Sequence, residues 1–126
     1  MPTDFSRSSR WVAVDLDGTL AEYDYWRGIE HIGRPVPQML KRVEEWLAAG
    51  VDVRIFTARA GIPRGIEVVE RWLTEHGIGG LAVTNVKDFG MIELWDDRAI
   101  QVVPNRGIPL LASRRRRRYK AANNAA

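Results

Sequence analysis

The apolar run that opens VAVDLDGTL (residues 12–20) is interrupted by two aspartates, Asp15 and Asp17, and then by Gly18 and Thr19. A buried strand has no use for such residues, because an unpaired buried charge is expensive. Within a regular strand, residues i and i+2 share a face, so both carboxylates would point the same way. Carboxylates held together repel unless a cation sits between them or one keeps its proton. A second acidic pair, Asp96 and Asp97, ends another apolar run. An oxygen-rich site on a chain without cysteine suits Mg²⁺. Thr57 and Arg59 follow a third run and Lys87 a fourth, adding a hydroxyl and two basic side chains.

Those residues need elements to bring them together. Segments 11–17, 52–58, 81–86 and 92–96 read as strands from their β-branched content and flanking breakers, with a weaker fifth at 99–103. Most are apolar without strict alternation, as parallel strands covered on both faces are. Between the first two, Met39, Leu40, Val43, Trp46 and Leu47 fall on one helical face before Gly50; between the next two, Ile66, Val69, Trp72 and Leu73 do so before Gly77. Alternating strands and helices imply a parallel α/β sheet with right-handed crossovers. In such sheets, ligands bind outside the carboxyl ends of the strands. Each of the four stronger strands carries its polar residues at that end. Asp17-Gly18 alone would be a turn, and Asp96-Asp97 alone a strand cap. Their coincidence with Thr57 and Lys87 favours a site.

Bulk properties narrow the setting. A chain of 126 residues suits one domain, divided here into an extension (1–10), a folded body (11–113) and a basic tail (114–126). The formal charge of +3 is misleading, since six of the nineteen basic residues lie in RRRRRYK and the body is mildly acidic. No apolar run is long enough to span a membrane, and the polar first ten residues lack a signal peptide's apolar stretch. Together with the absence of cysteine, this makes a cytoplasmic protein the simplest expectation. Nothing in the sequence bears on oligomeric state.

The motifs resemble those of the haloacid dehalogenase-like (HAD) phosphatases. DLDGTL is similar to that family's first motif, RIFTAR to its second, and WDDRA to its fourth, with Lys87 in NVKDFG the candidate for the third. The resemblance runs from residue 11 to about residue 109 and implies a Rossmann-like three-layer α/β sandwich with a mainly parallel sheet. It implies Asp15 as the nucleophile that forms an aspartyl-phosphate, and Asp17 as the acid and base. Mg²⁺ would be held by the Asp15 carboxylate, the Asp17 backbone carbonyl and Asp96, with Asp97 in support. Thr57 would bond a phosphoryl oxygen and Lys87 would offset transition-state charge, with Gly18, Ala58 and Arg59 beside the substrate. One departure concerns Lys87, which only eight residues separate from Asp96. In the family's strand order that connection crosses about 14 Å, and seven extended residues reach roughly 23 Å, so no full helix fits.

Neither gap where relatives insert a cap, 20–51 or 58–86, is long enough for a domain, so the resemblance is to capless members. An open site accepts a phosphate on something large, and DDRAIQVV resembles the corresponding region of nucleic-acid end phosphatases. Five consecutive arginines would favour a polyanionic partner, although a solvated terminus is an equal reading. Tyr23, Tyr25 and Trp26 could stack on a base or pack under a loop. Arg34 and Arg59 could reach a phosphate or serve as surface charges; His31 and His76 read as structural or exposed. The expectation is a Mg²⁺-dependent phosphomonoesterase acting on a nucleotide or nucleic-acid end. A phosphotransferase with the same intermediate, and an idle nucleic-acid-binding module, remain alternatives.

Overall fold

The computed structural model describes residues 10–110; the tail at 114–126 and most of the extension lie outside the described residues. Strand β1 (Trp11–Val14) is followed by helix α1 (Pro37–Ala48), β2 (Val53–Phe56), a single 3₁₀ turn (Ala58–Gly61), α2 (Gly65–Glu75), β3 (Ala82–Thr84) and β4 (Met91–Trp95). The four strands form one sheet in the order β3-β2-β1-β4, and every pairing is parallel. Val14 stands beside Ile55 on one side and Trp95 on the other, which levels the carboxyl ends of the three strands that carry the polar residues.

Each helix forms where an apolar stripe recurs at helical spacing. Pro37 opens α1 at a position where its missing N–H costs nothing. Met39 and Val43 are buried, with Leu40, Trp46 and Leu47 packed around them. In α2, Val69, Trp72 and Leu73 are buried as the spacing predicts. Ile66 is instead exposed and Val68 takes the inward position, because the first turn of α2 packs against the 3₁₀ turn rather than the sheet.

Both helices share one core cluster with Val12, Val14, Val53 and Ile55. The steps from β1 to β2 and from β2 to β3 run in the same direction across the sheet, so right-handed crossovers place both helices on one face. The expected three-layer sandwich is therefore corrected to two layers among the described residues. A second correction concerns the fifth strand: segment 99–103 forms none, and only Val102 makes an isolated antiparallel bridge, to Pro109.

The connection from β3 to β4 crosses the whole sheet in residues 85–90 without a helix. The Asp88 carboxylate accepts the Trp11 indole N–H at 2.9 Å and the Gly90 N–H at 2.8 Å, which holds it below the usual carboxylate range. Since Trp11 opens β1, these bonds fasten the crossover at the amino end of the sheet.

The excursion after β1 is a hairpin base carrying an ordered loop. Glu22 N–H donates to Arg34 O at 2.8 Å and Val36 N–H to Leu20 O at 2.7 Å, with an Ala21–Pro35 bridge between them. It is too short to be a cap domain. No helix among the described residues is long and apolar enough to cross a membrane.

Candidate active site

Strand β1 ends at Val14, and the chain beyond it diverges rather than continuing its pleat. Asp15 N–H donates to Trp95 O at 2.9 Å, extending the β1–β4 ladder by one residue and setting Asp15 beside Asp96. Leu16 then turns into the core, fully buried. Asp15 and Asp17 consequently serve two different environments, not the single shared face that strict alternation predicts.

On the first side, carboxylate oxygens of Asp15, Asp96 and Asp97 all lie within 4.8 Å of one another. Thr19 Oγ1 donates to Asp15 Oδ2 at 3.2 Å and approaches Asp97 Oδ1 at 3.4 Å. The Arg98 N–H donates to Asp96 Oδ1 at 2.6 Å and the Ala99 N–H at 3.2 Å, a local turn that fixes this carboxylate just past β4. Burial first, and then the Asp96 charge and a hydrogen bond with Asp97, push Asp15 up to about 7, against an opposing bond from Thr19. Gly18 is what lets this cluster close. Its backbone lies at φ +93°, and a Cβ there would stand 2.5 Å from Asp97 Oδ2.

On the second side, Arg59 grips Asp17 with a two-pronged fork: Nε donates to Oδ2 at 2.7 Å and Nη2 to Oδ1 at 2.9 Å. The remaining donors reach the excursion, with Nη1 on Ile29 O at 3.0 Å and Nη2 on His31 O at 2.8 Å. The Arg59 side chain is only 4% exposed, so it is not the surface charge that its sequence position also allowed. Its backbone is equally constrained, because a Cβ on Gly65 would fall 1.7 Å from Arg59 O. Thr57, also buried, accepts the Arg59 N–H at 3.1 Å on its hydroxyl oxygen, which keeps its own proton to donate.

A cleft of about 430 Å³ joins the two sides. Asp15, Asp17, Thr57, Ala58, Arg59, Asp96 and Asp97 all line it, as do Tyr23, Trp26 and Arg98. Gly18 does not line it and acts by admitting Asp97. Lys87 is exposed and is not among the residues that line the cleft, and its neighbour Asp88 bonds Trp11 at the amino end of β1. Arg34 pairs with Glu22 at the surface. A larger groove, about 750 Å³, runs along the outside of β4, but Ile92, Leu94, Ile100 and Leu110 give it largely apolar walls.

Sequence reasoning missed three features: the Arg59–Asp17 pair, the bond from Thr19 to Asp15, and Arg98 in the cleft. A hydroxyl four residues after Asp15, and an arginine directly after the acidic pair, were visible in DLDGT and WDDRA. The Arg59 pairing spans 42 positions and had no local signal.

The donor set suits a hard divalent cation, being carboxylate oxygen only and gathered from two chain segments. Asp15, Asp96 and Asp97 would hold it. With its side chain committed to Arg59, Asp17 would offer only its backbone carbonyl. Comparison with family models, curated proteins and solved structures gave no match, so the reading of the site rests on its geometry.

Proposed function

We propose that this protein is a Mg²⁺-dependent phosphomonoester hydrolase, a small capless Rossmann-like enzyme of HAD type that works through an aspartyl-phosphate on Asp15. The observation that carries the reading is the convergence of Asp15, Asp96 and Asp97 at the mouth of a cleft also lined by Thr57 and Asp17. Bound there, Mg²⁺ would offset the repulsion between one anion and another.

The chain's own residues supply the rest. An oxygen of Asp15 attacks phosphorus, and the leaving oxygen departs with a proton from Asp17. Water then loses a proton to Asp17 and attacks the phosphorus of the aspartyl-phosphate, releasing phosphate and restoring Asp15. The Thr57 hydroxyl donates to a phosphoryl oxygen throughout. Each oxygen of Asp17 accepts one bond from Arg59 in the resting geometry, which leaves a second lone pair on each for the proton. Arg98, which lines the cleft, takes the charge-offsetting role first expected of Lys87.

The test is phosphate release from a generic aryl phosphate, with Mg²⁺ and with chelator. Metal-dependent turnover that falls roughly 10⁴-fold or more in Asp15→Asn is expected, as for loss of a nucleophile. Turnover undiminished in that variant would reject the assignment.

A further inference from the structure

The same cleft has a second wall that hydrolysis of a bare phosphate does not use. Trp26 is 47% exposed and Tyr23 38%, yet both line the cleft, together with the half-open Ile62. These side chains set apolar surface beside a polar floor, the mixture common in small-molecule sites.

Trp26 is also fixed. The Arg59 guanidinium carbon lies 4.8 Å from its ring centroid, and Arg59 is itself immobilised by Asp17 and by the carbonyls of Ile29 and His31. A platform held this way gives up little freedom when a planar ligand stacks on it. Arg59 touches both Asp17 and Trp26, so the indole lies on the Asp17 side of the cleft.

We propose that the cleft takes a nucleoside phosphate, with Trp26 as the stacking platform for its base and Tyr23 alongside. The proposal rests on the phosphomonoesterase reading for its phosphate end. Its volume of about 430 Å³ lies within the range of roughly 300–1,000 Å³ common for small-molecule sites. Stacking is tolerant of base identity, so purines and pyrimidines should both bind, the purines more tightly.

The experiment compares kcat/KM for AMP and for ribose 5-phosphate, which differ by the base alone. Wild type should favour AMP by about tenfold or more, a ratio typical of one base–aromatic stack. Trp26→Ala should abolish that preference while keeping turnover of ribose 5-phosphate, and Trp26→Phe should retain most of it. Tyr25→Ala should leave the ratio unchanged, because Tyr25 does not line the cleft and packs against Arg27 instead. Equal kcat/KM for the two substrates in wild type would overturn the platform and leave the hydrolase standing. Equal losses on both substrates in Trp26→Ala would reduce Trp26 to a support for Arg59, which likewise overturns the platform and spares the hydrolase. Calorimetric titration of AMP into Asp15→Asn protein reads the platform without turnover. Binding that Trp26→Ala removes upholds it even if no phosphate is ever released, in which case the hydrolase reading falls alone. No AMP binding to Asp15→Asn overturns it.

Discussion

Asp15 and Asp17 are two positions apart, yet the protein treats them in opposite ways. Asp17 is given a resident cation: Arg59 meets both its oxygens, and the same guanidinium closes bonds to two carbonyls. Asp15 is given two more carboxylates and a hydroxyl, and is pushed up to about 7 by burial and by Asp96 and Asp97. One half of the site is held by a buried ion pair, and the other gathers like charges. The contrast teaches that two carboxylates of one motif should be judged by what stands around each: a guanidinium fork on Asp17, further carboxylates beside Asp15.

The contrast can be broken from the ion-paired side first. Arg59→Ala leaves the Asp17 carboxylate and two carbonyls without their donor, and removal of one partner of a buried pair costs about 3 kcal/mol. Chemical denaturation should register that loss, and Arg59→Lys should recover little of it because an ammonium cannot make the fork. A variant as stable as wild type would mean that the pair does not hold the excursion.

The acidic side should show itself in pH dependence. In the unfolded chain Asp15 ionises near its ordinary 3.8, whereas in the folded protein it does so only at about 7. Between those values the folded state keeps a proton that the unfolded state has lost, so stability falls as pH rises through that window and levels off above it. Thermal melts in chelator should follow this trend, and Asp15→Asn should flatten it. Mg²⁺ should restore stability increasingly toward pH 7 and above, since its ligands bind deprotonated. A rising trend in chelator would contradict the account of the cluster.

The smallest effect is expected at Lys87. With its segment fastened to the amino end of the sheet, Lys87→Ala should change kcat/KM for an aryl phosphate by less than about twofold, a shift within the ±0.5 kcal/mol usual for surface substitutions. A large loss would bring Lys87 to the site and overturn the assignment of its role to Arg98.

Much of the fold was legible in the sequence because it depends on local period. The four strands lie within a residue or two of their expected positions at the start of each run, and Met39, Val43, Trp72 and Leu73 pack as the helical spacing requires. The grouping of Asp15 with Asp96 and Asp97 was legible too, since it follows from strand ends meeting at one edge. What stayed hidden depends on where chain segments travel between elements. Spacing alone did not reveal that residues 85–90 return to the amino end, where Asp88 bonds Trp11, with Lys87 outside the cleft lining. Nor did it show that Arg59 would turn inward, because its partners lie 28 to 42 positions earlier. The second helical layer failed for a related reason: the one connection that could have supplied it is too short.

The excursion at residues 21–36 is stapled by side chains that come later in the chain. Arg59 holds Ile29 and His31, and the Trp72 indole donates to Gly33 O at 3.0 Å. During synthesis this segment therefore leaves the ribosome well before either staple exists. The bonds at its base join residues of the segment itself, but the side-chain staples on its loop form only once β2 and α2 have emerged.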